Sequence, residues 1–112
     1  MRIDQQRPSE DVDADVESVA RTIALRKLTA KACTRHELDQ ALQAKNVPEG
    51  VIDGVLDRLQ EVGLVDDASF AVDWVTSRQQ RRHLSRRLLR RELQAKGVES
   101  SHIDNARKPS GG

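Results

Sequence analysis

Shifted by 51 residues, this sequence lies on itself. TRHELDQALQAKNVPEGVID, residues 34–53, aligns with SRRLLRRELQAKGVESSHID, residues 85–104, with nine identities in twenty positions. The matches include Arg35 with Arg86, Leu38 with Leu89, the run LQAK in both copies, Val47 with Val98, and Ile52-Asp53 with Ile103-Asp104. The same offset lays Ala20 on Ala71, Ile23 on Trp74 and Ala24 on Val75, so the copy extends into the preceding segment. A period near 50 residues makes each unit bury its apolar stripe partly inside itself and partly against its neighbour. Within 112 residues only two such units fit.

The periodicity inside each unit is helical. Val16, Val19, Ala20, Ile23, Ala24, Leu25 and Leu28 recur at the 3.6-residue spacing and predict a helix over residues 16–31 with a broad apolar face. Thr34 followed by Glu37 has the S/T-x-x-E pattern of a capping box and starts a second helix, which ends near Asn46, a residue that tolerates the left-handed region. Pro48 suits the first turn of a third, with Val51, Ile52, Val55, Leu56, Leu59 and Val62 inward and Gly63 as its stop. Asp66 or Asp67 can cap a fourth helix carrying Phe70, Ala71, Trp74 and Val75; Ser85 can cap a fifth that runs to Gly97; and a sixth begins near Ser100 or Ser101.

The expected fold is therefore all-α: tandem three-helix repeats of helix-turn-helix type, over residues 16–65 and 66–107. The second repeat reads as incomplete, because Arg107 and Ser110 stand where the first has Leu56 and Leu59. Either the natural chain continues, or the second unit borrows a partner surface. Residues 1–15, acidic and poor in apolar side chains, are expected to be a disordered leader, and residues 108–112 a disordered tail.

Charge separates the two halves. Residues 1–67 carry 9 Lys/Arg against 14 Asp/Glu, a net −5, and residues 68–112 carry 10 against 4, a net +6. The basic half concentrates seven arginines in residues 78–91: Arg78, Arg81, Arg82, Arg86, Arg87, Arg90 and Arg91. The guanidinium fork pairs with carboxylate or phosphate, so this run is the candidate site for an acidic protein groove or for DNA. Arg86 with Arg90, and Arg87 with Arg91, are spaced to share a helix face.

No other constellation carries chemistry. Adjacent Asp66 and Asp67 before an apolar helix read as caps rather than as a catalytic pair. Cys33 and His36 have a C-x-x-H spacing with no second pair to complete a zinc site. Phe70 and Trp74 are expected in the core rather than stacked on bases, since their counterparts Val19 and Ile23 read as core residues. With no phosphate loop, dinucleotide fingerprint or nucleophile–base pair, we expect a non-enzyme without metal or cofactor. The single cysteine, and the absence of an apolar leader or a membrane span, fit a cytoplasmic protein.

ALRKL at 24–28, TRHEL at 34–38, LQAKNV at 42–47 and, above all, LxxxGLVDDxxFAxxWVxxR at 59–78 resemble the RecX family of RecA regulators. The resemblance spans residues 20–104. It implies tandem three-helix units and a protein that binds the RecA–DNA filament and suppresses its ATP hydrolysis, strand exchange and coprotease activity, with no small-molecule substrate. The family usually carries a third unit, so the resemblance is to a shortened form, and Asn46 stands where a glycine is common. Two rivals remain. A winged-helix DNA-binding domain would use residues 34–65 but needs a β-hairpin where residue 66 onward is patterned as a helix. Its recognition helix would also hold Glu49, Asp53, Asp57 and Glu61 against Arg58. A generic helical adaptor explains the repeat but not residues 63–78.

Overall fold

The computed structural model describes residues 8–81 and 85–106. Six helices follow one another: α1 (Pro8–Ala30), α2 (Arg35–Ala44), α3 (Glu49–Glu61), α4 (Asp67–Arg81), α5 (Arg86–Ala95) and α6 (Ser100–Ala106). Among the described residues there is no strand, and α4 occupies the place a wing would need.

Each unit of three helices has its own core. Ala20, Ala24, Leu38, Leu42, Val47, Ile52, Val55, Leu56, Leu59 and Val65 fill the first; Ala71, Val75, Leu89, Leu93, Val98 and Ile103 fill the second. All six residues of the second core fall on residues of the first at the 51-residue offset, so the duplication is one of packing as well as of sequence. The first core also holds Val55, Leu56 and Leu59 from α3, whereas Ala106, at the Val55 position, packs against the second core beside Phe70 and Trp74, and the counterparts of Leu56 and Leu59 lie outside the described residues.

The corners follow from their residues. Thr34 caps α2 with its hydroxyl accepting from the Glu37 amide at 3.1 Å, while the Glu37 carboxylate accepts from the Thr34 amide at 3.1 Å, a complete capping box. Helices α2, α3 and α5 end alike: the amide of the residue after the left-handed one reaches back to a carbonyl five residues earlier, Val47 to Leu42, Leu64 to Leu59 and Val98 to Leu93. The left-handed positions are Asn46, with φ 63°, and Gly63 and Gly97, both with φ 82°. Pro48 is the N-cap of α3, one position ahead of the first turn.

Three expectations are corrected. Helix α1 starts at Pro8, so residues 8–15 are helical rather than disordered. Proline at the first helical position and acidic residue types in the opening turns are what a helix N-terminus favours, and the same composition reads as disorder when only hydropathy is weighed. The apolar face of α1 is also narrower than its pattern: Val19 is 55% and Leu25 36% exposed. At 100° per residue they lie about 100° and 140° from Ala20, off the stripe that Ala20 and Ala24 bury. Val62 follows the last turn of α3 and is 62% exposed instead of inward. Residues 1–7 of the expected leader and residues 107–112, with the expected tail, lie outside the described residues.

Candidate partner-binding face and the joint behind it

Helix α5 separates its chemistry by face. Leu89 and Leu93 are fully buried in the second core. At 100° per residue Arg86, Arg90, Arg87 and Arg91 spread over about 140°, from Arg86 beside the buried leucines to Arg91 on the side away from them. Arg86, Arg87 and Arg91 are exposed and have no ion-pair partner among the described residues. Arg90 forms an ion pair with Asp104 of α6. The repeat shows how unusual the three are. Arg35, the first-unit counterpart of Arg86, is neutralised by Asp57 at 2.8 Å, lies 3.9 Å from Asp53 and donates to Gln60.

The structure does not gather the seven candidate arginines into one site. Arg78 faces inward and makes two hydrogen bonds to Glu92, at 3.2 and 2.8 Å, while its guanidinium carbon lies 5.5 Å from the centre of the Trp74 ring. Arg81 closes α4, with its side chain outside the described structure, and Arg82 lies outside the described residues. Glu92, the only acidic residue in α5, is committed to Arg78 and to the indole N–H of Trp74 at 2.9 Å, so it does not offset the exposed stripe. The Arg78 hydrogen bond is the largest influence and holds the Glu92 carboxyl below the usual carboxylate range; burial, second in size, pushes it up, and the Trp74 hydrogen bond with the Arg78 and Lys96 charges keeps the net shift downward.

Behind this face lies a joint that sequence reasoning missed. Thr34 is fully buried, and its hydroxyl donates to the Lys96 carbonyl at 2.6 Å while accepting from the Glu37 amide. One side chain thereby starts α2 of the first unit and satisfies a carbonyl at the end of α5 in the second. Lys96 returns the contact: its ammonium donates to Glu37 at 2.9 Å and stands 4.8 Å above the Trp74 ring and 5.9 Å above Phe70. The two rings are stacked, with centroids 5.9 Å apart and planes 13° from parallel. They are half-buried rather than core residues, forming the floor under a cation. Burial pushes the Glu37 carboxyl up, but the Lys96 and Thr34 hydrogen bonds and the Lys96 and Lys31 charges outweigh it, leaving a net lowering.

Two further contacts lock the joint. The carboxylate of Asp67 accepts from the Arg35 amide at 3.0 Å, so Asp67 serves a helix of the other unit, while Asp66 caps its own by accepting from the Ser69 amide at 3.0 Å. Both carboxylates are thus amide acceptors. At Gly97 the backbone approaches so closely that an added Cβ would sit 2.2 Å from the His36 Cβ. Cys33 is half-buried, donates to the Lys31 carbonyl at 3.5 Å, and has its thiol pushed up by burial and then by Glu37, the opposite of an activated thiolate. Among the described residues no three His, Cys, Asp or Glu side chains converge as metal ligands, and no helix is long and apolar enough to cross a membrane.

Comparison with known proteins places these two units. The model of the first three-helix domain of RecX matches residues 20–59, and that of the second three-helix domain matches residues 66–106. The chain belongs to the RecX family. It is 54% identical over 90 residues to the regulatory protein RecX of Mycobacterium ulcerans (strain Agy99), covering 80% of this chain and 52% of that one. With the regulatory protein RecX of Streptomyces coelicolor it shares 49% over 87 residues, 78% of this chain and 46% of the relative. A crystal structure of regulatory protein RecX superposes with a TM-score of 0.85 at 24% identity, covering 95% of this chain and 53% of that one. The RecX structure from Lactobacillus salivarius gives 0.81 at 22%, covering 83% and 60%. These structural likenesses show the fold. The chain spans about half the length of the curated relatives it matches.

Proposed function

We propose that this RecX-family chain is a non-catalytic regulator that binds the RecA–DNA filament and suppresses its ATPase, strand-exchange and coprotease activities. The observation that carries the reading is the α5 stripe of Arg86, Arg87 and Arg91, exposed and without an acidic partner among the described residues. A guanidinium group with no internal carboxylate is available to an acidic groove or to phosphate. Arg90 contributes at lower weight because Asp104 already holds it, and Arg78 supports the face from behind through Glu92. Arg81 and Arg82 extend the same basic run in sequence. Such a partner places the chain in the cytoplasm, with ATP turnover belonging to RecA.

The test is co-sedimentation with RecA filaments assembled on single-stranded DNA. Arg87→Glu/Arg91→Glu should weaken binding at least tenfold, a loss of about 1.4 kcal/mol, while Lys27→Glu/Lys31→Glu on the first unit should change it little. Equal losses from the two pairs would refute the assignment of the face.

A further inference from the structure

We infer that the joint is a latch between two hinged bodies, closed by Lys96 on Glu37 and opened when that ion pair breaks, so that the arginine stripe of α5 can turn relative to the first unit. The two cores share no residue. Among the described residues the close helix packings all lie within a unit: α1 with α2 and α3, α2 with α3, and α6 with α4 and α5. Two bodies that each bury their own core and meet through polar contacts move relative to one another by default.

The contacts across the joint divide into a pivot and a latch. At the pivot, the Asp67 carboxylate accepts from the Arg35 amide, two residues after Val65 is buried in the first core. Chain continuity keeps this side together at any angle between the units. The latch comes from the far end of α5. There the Lys96 ammonium donates to Glu37 at 2.9 Å, and the Thr34 hydroxyl donates to the Lys96 carbonyl at 2.6 Å. These partners stand 59 and 62 residues apart in sequence, so the covalent chain does not hold them together.

Both halves of the latch survive opening. Phe70 and Trp74 belong to the same unit as Lys96 and lie beneath its ammonium with or without Glu37, which presents the cation ready to close. Thr34 and Glu37 keep each other as the capping box of α2. The side chains of Lys96 and Glu37 are 24% and 27% exposed, so water can reach the pair and take over its bonds, and salt can screen it. Closure is specific: at Gly97 the backbone comes so near His36 that any side chain there would stand in the way. Closing therefore selects one angle and opening releases it, and a partner that engages both units at another angle draws the chain into the open form.

Spin-label distance measurement on the full chain tests this without RecA or DNA. Cys33→Ser removes the native thiol, and Gln40→Cys on α2 with Gln94→Cys on α5, both at exposed positions, carry one nitroxide in each unit. In low salt a single narrow distance is expected, and in about 1 M salt, where the screening length falls to ~3 Å, the distribution should broaden. Lys96→Met keeps the stem over the rings, and Glu37→Gln keeps a capping-box residue at its position. Either should raise the ratio of open to closed chains roughly tenfold, about 1.4 kcal/mol, while helix content by circular dichroism stays that of the parent. A distance that remains single and narrow in both variants and in high salt overturns the inference, since the units are then one rigid body. A broad distribution in the parent at low salt overturns it too, because no closed state is held. So does loss of helix in both variants, because the units then do not stand without the joint.

Discussion

Replacing Thr34 with valine keeps the shape of the side chain and deletes its hydroxyl, which tests the joint at its centre. Two losses combine. The α2 N-cap hydrogen bond to the Glu37 amide disappears, at a cost of about 1 kcal/mol, and the Lys96 carbonyl loses its 2.6 Å donor in a buried setting, at about 1–3 kcal/mol. The sum is about 2–4 kcal/mol, a large share of the roughly 5–15 kcal/mol that holds an ordinary domain together. In thermal terms it corresponds to a drop on the order of 10–20 °C for a chain of this size. Ser85→Ala is the internal control, since the repeat gives it the same local role: Ser85 caps α5 by accepting from the Leu88 amide at 3.1 Å, but it is exposed and has no carbonyl in another unit to satisfy. Its loss should cost about 1 kcal/mol or less. Thr34→Ser, which keeps the hydroxyl, should lie close to the parent. Urea unfolding followed by circular dichroism measures all three. If Thr34→Val and Ser85→Ala lose the same stability within about 0.5 kcal/mol, the ordinary scatter of surface substitutions, Thr34 is only a helix cap and the joint does not depend on it.

Gly97→Ala should destabilise by more than Gly63→Ala. Both place an L side chain at φ 82°, at about 1–2 kcal/mol, but only Gly97 also forces a Cβ against His36, and adding His36→Gly should recover part of the difference in a double-mutant cycle. Glu37 and Glu92 are both held below their unfolded values, so the stability they lend is complete above about pH 4.3 and is lost as pH falls through the folded values. Fluorescence of Trp74, the chain's only tryptophan, should report that acid loosening, and Glu92→Gln should make stability less steeply dependent on pH in that range.

Most of the fold was legible because the features that fix it are local. The Thr34–Glu37 box, the left-handed Asn46 and Gly63, and the apolar spacing of α2, α3 and α5 each act within a few residues, and the 51-residue match carried them into the second unit. The joint was not legible, since Thr34 meets Lys96 across 62 residues. Its signal lay where the repeat fails. Glu37 against Leu88, Phe70 against Val19, Trp74 against Ile23 and Asp67 against Val16 are among the positions at which the copies differ, and one member of each pair works in the joint, whereas Lys96 matches Lys45 and gives no such signal. The basic run is a cluster in sequence, but its members divide by burial and partner: linear density does not show that Arg78 turns inward to Glu92 or that Asp104 holds Arg90.

The central claim is that this chain restrains RecA through the exposed arginines of α5. It is tested most directly by measuring RecA ATP hydrolysis on single-stranded DNA against increasing amounts of the parent and of Arg87→Glu/Arg91→Glu, with binding to the same DNA measured without RecA. Suppression by the parent, lost in the variant and accompanied by weak binding to bare DNA, is the predicted result. Unchanged hydrolysis, or a decrease that simply follows tight capture of bare DNA, would contradict it.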